Sequence, residues 1–346
     1  MTGHTGFKGS WLCIWLEMLG ARVSGFALDP PTVPSLFECT NLRSRLSRSV
    51  TGDVRDFAAL RSAVEVARPE IVFHLAAQPL VTESYRDPVS TYSTNVLGTV
   101  HVLEAVRTSA SVRCVVNVTT DKVYENSEWV WAYRENDRLG GYDPYSSSKA
   151  CSELVTSAYR DSYFNAASYD RHHVAIATAR SGNVVGGGDW AQDRLIPDSI
   201  RAFAKGEPLR IRSPEATRPW QHVLEPLSGY LMLARLLYIE GTRFSGAWNF
   251  GPRPGDEKPV SEVVAALAAL WGDGAKYEID SDAHPHEAGL LCLENARART
   301  ALGWSPQWDT EKALRETVRS YKAYYAQQDI LDLCRAQIRG YCGGAS

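Results

Sequence analysis

Residues 2–9 read Thr2-Gly3-His4-Thr5-Gly6-Phe7-Lys8-Gly9, and the reading of this stretch decides the fold. The glycines are spaced Gly3-x-x-Gly6-x-x-Gly9, and an apolar run follows them. Glycine at these positions permits a tight strand-to-helix turn. It also lets backbone N–H groups approach an anion at the positive end of the helix. Glycine-rich turns before helices are common, so the spacing alone is a weak signal.

The flanking sequence strengthens it. Residues 22–28 read as a strand that ends at Asp29. An acidic residue there accepts hydrogen bonds from both ribose hydroxyls of a dinucleotide and repels a 2′-phosphate, which points to NAD rather than NADP. The plainer role for Asp29 is to begin the turn Asp29-Pro30-Pro31. A further strand-like run ends at Gly52-Asp53-Val54. There Asp53 either reads an adenine edge or caps a helix.

Residues 70–74 (EIVFH), 113–118 (RCVVNV) and 174–179 (VAIATA) read as further strands. Residues 7–19, 57–67, 88–108 and 145–160 read as helices. The alternation predicts parallel βαβ units, and strands this apolar need helices on both faces. The predicted fold class is therefore α/β, with a Rossmann-like doubly wound parallel sheet over residues 1–182. Past Gly182 the pattern breaks up. Residues 183–346 are expected to form a smaller, mixed α/β substrate-binding region that returns in part to the sheet.

Composition narrows the function classes. A net charge of −3 argues against a nucleic-acid or anionic-membrane face. Ten Trp and sixteen Tyr suit an aromatic cleft, although core packing accounts for most of them. The seven cysteines lack paired spacing and read as buried free thiols. No membrane span or secretory leader is evident, so a cytoplasmic location is expected.

Tyr145 and Lys149 stand four apart in a helical pattern and share one helix face. A lysine cation beside a tyrosine lowers the phenol's pKa, so the phenol can take a proton from a sugar hydroxyl while hydride leaves the same carbon. The preceding strand delivers Thr119-Thr120-Asp121-Lys122 at its C-terminal end, where open α/β sheets bind ligands.

Several motifs occur together: the glycine loop, His74-Leu75-Ala76-Ala77, Asn95 within Thr94-Asn95-Val96-Leu97-Gly98, Tyr145-x-x-x-Lys149, and Arg180-x-Gly182-Asn183-Val184. In this combination the chain resembles the extended short-chain dehydrogenase/reductase family. Thr120-Asp121-Lys122, Glu128-Trp129-Val130-Trp131, Gly187-Gly188-Asp189-Trp190, Arg218-Pro219-Trp220-Gln221-His222 and His284-Pro285-His286-Glu287 are similar to those of its nucleotide-sugar 4,6-dehydratases, in the branch acting on CDP-glucose. Relatives in other branches carry Asp-Glu where this chain has Asp121-Lys122.

The resemblance implies an NAD-dependent lyase that turns CDP-glucose into CDP-4-keto-6-deoxyglucose and water, in a deoxysugar pathway serving a surface polysaccharide. A sugar-nucleotide 4-epimerase and a non-enzymatic NAD-binding member are the alternatives; neither needs an acid–base pair at Asp121-Lys122. Implied cofactor contacts are Gly3, Thr5, Gly6, Phe7, Gly9, Asp29, Asp53, Val54, Ala76, Ala77, Asn95, Tyr145 and Lys149. Asn95 has a plainer reading as a bridge between backbone segments.

Implied catalytic groups are Tyr145, Lys149, Thr120 holding the sugar O4, Asp121 as the acid, and Lys122. Lys122 serves either as the C5 base, slightly favoured, or as a charged stabiliser of the enolate. Implied substrate contacts are Gln78, Asn183, Arg194, Arg212, Arg218 and Glu287. No metal is expected, and His222 reads as structural. The helices over 88–108 and 145–160 resemble the family's dimer face, implying a homodimer or homotetramer. The resemblance also implies an apolar strand before the loop. Only Met1 precedes Thr2, so that first strand is expected to be missing, its codons lying upstream of a misassigned start.

Overall fold

Neighbouring residues of the central strands enter opposite hydrophobic clusters, which is how a sheet covered on both faces arises. The computed structural model describes residues 1–280 and 290–343. Its strands are β1 (Ser24–Ala27), β2 (Arg48–Thr51), β3 (Ile71–His74), β4 (Cys114–Val118), β5 (Ala175–Ser181) and β6 (Gly246–Phe250), together with shorter pairs. Cys114, Val116 and Val118 of β4 pack into one cluster with Ala175, Ala177 and Ala179 of β5. Val115 and Ile176 face the other way, into a second cluster.

All pairings among the six strands are parallel, β2 with β1 and then β3, β4, β5 and β6 in sequence. Thr2 bridges in parallel to both Phe26 and His74 and joins the two groups. The place between β1 and β3 is thus held by Met1 and Thr2 alone, with Thr2 N–H donating to the Phe73 carbonyl at 3.0 Å. β6, from the second half of the chain, pairs with β5 from Gly246 against Ala177 to Phe250 against Ser181.

The helices are α1 (Phe7–Met18), α2 (Phe57–Ala67), α3 (Gly98–Arg107), α4 (Pro144–Ser162), α5 (Leu195–Lys205), α6 (Leu224–Glu240), α7 (Val260–Trp271), α8 (Thr310–Tyr325) and α9 (Ile330–Gly343), with shorter turns between. Asp56 caps α2 through Ala59 N–H, so the capping role open to Asp53 belongs to Asp56. Asp143 caps α4, with Pro144 in the first turn, where a missing N–H costs nothing.

The single helix expected over 88–108 is instead Pro88–Tyr92, a π-helical stretch Ser93–Leu97, and α3. The wider turn brings Asn95 inward, 1 % exposed, against polar partners. A separate core joins α5, α7 and α8 with Leu209 and Ile211, and builds the wall that faces the ends of the strands. All seven cysteines are free. Only Cys13, Cys114 and Cys334 are buried. Cys39 and Cys342 are exposed, because their helix faces point away from the core.

Candidate functional site

One cleft of about 1590 Å³ runs from the glycine loop, across the C-terminal ends of β1, β3, β4 and β5, to the second core. A single small-molecule site occupies roughly 300–1,000 Å³, so this cleft has room for two ligands side by side. It is the position where doubly wound sheets bind.

At one end the three loop glycines divide into two kinds. Gly3 has φ +73°, and a Cβ there would lie 2.6 Å from Ala76 N. A Cβ on Gly9 would lie 2.1 Å from the Gly3 carbonyl oxygen. Both are demanded by packing. A Cβ on Gly6 would meet only that same oxygen, at an ordinary 3.5 Å, so its remaining side is open. No side chain caps α1. Its first-turn N–H groups, at Phe7, Lys8 and Gly9 on the cleft wall, are left for an anion. This cradle fits a dinucleotide pyrophosphate.

Thr5, Asp29, Asp53, Val54, Ala76 and Ala77 also face the cleft. Thr5 is spent on the Leu28 carbonyl at 2.8 Å. Asp29 stands exposed at the end of β1, accepting from Thr51 and lying 3.7 Å from Arg43. Asp53 is held by Arg55, whose hydrogen bonds keep its carboxyl below the usual range.

At the centre, β4 and α4 bring Thr120, Asp121, Lys122, Tyr145 and Lys149 onto one stretch of the wall. Thr120 caps a short turn over Asp121–Val123. Asp121 is 2 % exposed. Its Oδ1 accepts from the Thr120 hydroxyl at 2.9 Å, while its buried Oδ2 has no partner among the described residues. That Oδ2 lies over Gly182, where a Cβ would come within 2.9 Å of it. Lys122 is half-buried beside it.

The lowering of the phenol's pKa expected from Lys149 is opposed by burial. Burial pushes the Tyr145 phenol up to about 12, against a hydrogen bond with Thr120 and the charge of Arg194. The Lys149 ammonium donates to the Val118 carbonyl at 2.9 Å. Burial brings Lys149 itself down to about 8, with Glu153 opposing.

On the far side Asn183, Arg194, Arg212 and Arg218 all line the cleft. Arg194 pairs with Asp189 at 2.8 Å, and Arg212 lies 3.5 Å from Asp193. Asp193 also accepts from Thr82, on the opposite wall. Trp190 and Trp220 reach the cleft but are mostly core: Trp190 packs edge-on against Tyr321, and Trp220 donates to the Lys258 carbonyl.

Two residues fail to join the site. Gln78 is absent from the cleft wall, and its amide is consumed by Leu80 and Thr91. Asn95 accepts from Gln78 N–H and donates to the Gln78 carbonyl and the Ser148 hydroxyl. Both side chains staple the loop after β3 to the helices beneath it. His222, fully buried between Trp11 and Trp308, is likewise packing. Glu287, with His284 and His286, lies outside the described residues. Among the described residues no group of three His, Cys, Asp or Glu could hold a metal, and no helix is long and apolar enough to cross a membrane.

The motif reading missed Lys8. Its amine donates to the Ser181 hydroxyl at 2.8 Å, at the end of β5. Burial, then Arg194, lowers it to about 7, with Asp121 pulling the other way. It therefore sits within the field of both the cofactor loop and the central carboxylate. The signal was available: a lysine among loop glycines has no solvated face to occupy when the first helical turn points into a cleft.

Comparison with known proteins agrees with this geometry. The family model described as GDP-mannose 4,6 dehydratase matches residues 1–241. A CDP-glucose 4,6-dehydratase of Salmonella typhimurium is 54 % identical over 341 residues, 99 % of this chain and 95 % of the relative. A UDP-glucose 4-epimerase of Mycolicibacterium smegmatis is 28 % identical, over 93 % of this chain and 97 % of its own. Among solved structures, DesIV of Streptomyces venezuelae, a dTDP-glucose 4,6-dehydratase with NAD and TYD bound, superposes with a TM-score of 0.77 at 25 % identity, covering 95 % of this chain and 98 % of that one.

Proposed function

The chain belongs to the GDP-mannose 4,6-dehydratase family of extended short-chain dehydrogenases/reductases, and from that premise we propose that it converts CDP-glucose into CDP-4-keto-6-deoxyglucose and water with NAD as a recycled cofactor. The observation that carries this is the unpartnered, buried Oδ2 of Asp121 beside Thr120, Lys122 and Tyr145. A proton-handling carboxylate placed there serves the loss of water, a step an epimerase does not have.

Gly6 and the first turn of α1 would hold the pyrophosphate of NAD, and Asp29 would take the adenosine ribose. Bound NAD supplies the acceptor, and later the donor, of a hydride, and brings a positive charge to the site. Tyr145 accepts the proton of the sugar C4 hydroxyl as hydride leaves C4. A phenol held at about 12 by burial is a poor base; a cation brought close favours the phenolate and corrects this. Lys149 adds its own charge from the same helix face.

Thr120 positions O4. The resulting ketone acidifies the C5 proton. Lys122, half-buried and free of side-chain partners among the described residues, takes that proton or stabilises the enolate. Asp121 delivers a proton to the C6 oxygen, the C6–O bond breaks, and water leaves. With NAD bound, a hydride would return to C6 and a proton to C5, so atoms and electrons balance with no external reductant. Arg194 and Arg212 bind the diphosphate and nucleotide once Asp189 and Asp193 yield them, with Arg218 beside them on the cleft wall. A homodimer is in keeping with Val89, Leu97 and Leu154, each at least half exposed on the two helical stretches expected to form its face.

The test is incubation of the NAD-loaded protein with CDP-glucose, dTDP-glucose, GDP-mannose and UDP-glucose. The alkaline ultraviolet absorbance of a 4-keto-6-deoxy sugar is expected with CDP-glucose above the others. Epimerised sugar without that absorbance would contradict the proposal.

A further inference from the structure

Glu153 is one helical turn beyond Lys149 on α4, and Tyr145, Lys149 and Glu153 form a buried row along one face of that helix. Nothing in the reaction outlined above uses Glu153, yet its carboxylate is saturated. Oε1 accepts from the Thr119 hydroxyl at 2.5 Å and from Arg180 Nε at 2.9 Å. Oε2 accepts from the Thr178 hydroxyl at 2.6 Å and from Arg180 Nη2 at 2.9 Å. The pair is 3 % and 4 % exposed. Arg180 Nη1 continues to the Tyr124 hydroxyl and the Glu135 carbonyl.

The elements joined by this pair are those that carry the chemistry. Thr119 immediately precedes Thr120 and Asp121. Arg180 stands two residues before Gly182, over which the free Asp121 Oδ2 lies. Lys149 binds the Val118 carbonyl. The end of β4 is therefore tied to α4 at two successive residues, once through Lys149 and once through Glu153, with Arg180 closing the connection to β5. A buried ion pair contributes little net stability and is strongly destabilising when only one partner is removed. Its retention here calls for a role other than stability.

We propose that Glu153, clamped by Arg180, is a positioning residue for the reaction: it registers Thr120 and Asp121 against Tyr145 and Lys149, and supplies the anion that faces the Lys149 ammonium. This rests on the roles proposed above for Tyr145 and Lys149. The other titratable groups in the field of that ammonium are Lys8 on α1 and His74 on β3, with Tyr145 one turn back on α4 itself. Burial lowers the Lys149 amine to about 8, and Glu153 is the one charge acting to raise it. Removing the anion therefore makes Lys149 lose its proton at lower pH.

Glu153→Gln alone would strand a buried Arg180, so the test uses the double variant Glu153→Gln/Arg180→Gln, with Tyr145→Phe and Arg180→Lys alongside. Retained folding is checked by thermal melting and by NAD binding. For the double variant kcat is expected to fall about 10- to 100-fold with little change in KM for CDP-glucose. The alkaline limb of its kcat profile is expected to move about one pH unit lower. Arg180→Lys keeps both charges and loses only the fork, so kcat is expected to fall while the alkaline limb stays in place.

A double variant with wild-type kcat and an unmoved alkaline limb would overturn the proposal, leaving the pair merely structural. Should the double variant not fold, Arg180→Lys decides: a lowered kcat with an unmoved limb supports the proposal, and a wild-type kcat overturns it. Tyr145→Phe is expected to abolish turnover. If it does not, the reading of the catalytic pair has failed, which is distinguishable from failure of the Glu153 proposal.

Discussion

At the scale of single residues, the unpartnered oxygen of Asp121 separates the two halves of the reaction. Asp121→Asn keeps an acceptor for the Thr120 hydroxyl and removes the proton that C6 departure requires. Loss of water is expected to slow by about 10²- to 10⁴-fold, while C4 oxidation and C5 exchange persist. In deuterium oxide the recovered CDP-glucose is then expected to carry deuterium at C5, read by mass spectrometry. Water loss at the wild-type rate would remove Asp121 from the acid role.

Thr120, Asp121, Tyr145 and Lys149 were legible in the sequence because a strand end and an i, i+4 spacing place them almost without help from the rest of the chain. Gln78 was not. Lying next to an Ala-Ala motif says nothing about which way a side chain turns, and a nearby hydroxyl and carbonyl claimed its amide. That the Lys149 ammonium donates to the Val118 carbonyl was not legible either. The spacing puts Lys149 and Tyr145 on one face and says nothing of the carbonyl that the ammonium reaches.

At the scale of elements, the glycine loop yields two substitutions with different outcomes. In Gly9→Ala the added methyl group would press on the Gly3 carbonyl from 2.1 Å, so α1 has to move. A loss of about 3 kcal/mol or more is expected in denaturant unfolding, in the manner of an overpacked core. In Gly6→Ala the methyl group meets nothing closer than 3.5 Å, and φ at this position is −78°. Stability is expected to fall by no more than about 1 kcal/mol, while NAD affinity drops at least about tenfold, because that methyl group fills the space left for the pyrophosphate. Calorimetric titration beside the unfolding curves checks both. Equal effects on stability would contradict the division of roles.

The alternating pattern of strands and helices revealed the sheet, since β-branched apolar runs have few other uses. The π-helical stretch at Ser93–Leu97 left no such mark. Its cause is the demand of Gln78 and Ser148 on Asn95, contacts made across the chain that periodicity does not register.

At the scale of the whole molecule, acid stability reports on the buried histidines. His4 beside β1, His74 on β3 and His222 under the second core are at most 3 % exposed. Burial lowers them to about 4, about 3 and about 3. Above the unfolded value of about 6.5 both states are neutral and nothing is lost. As pH falls below it the unfolded chain binds protons that the folded one refuses, so stability drops. For His222 alone the loss is about 2 kcal/mol between pH 6.5 and 4.5. Urea midpoints are expected to fall over that range, and to fall less steeply in His222→Asn. A variant with the same slope as the wild type would show that His222 takes up its proton in the fold.

The reach of the cleft from the glycine loop to the second core belongs to this scale too. It was legible only as two regions meeting near Gly182. The return of β6 to the sheet, and the Asp193 contact to Thr82 across the cleft, depend on how the second half packs back on the first. No local pattern encodes that.

The account's central claim is that hydride leaves and rejoins the same sugar within one active site. The most direct measurement is turnover of CDP-glucose deuterated at C4. The account expects the deuterium at C6 of the 4-keto-6-deoxy product, undiminished by added unlabelled NADH. Deuterium lost from the product, or diluted by that NADH, would contradict it.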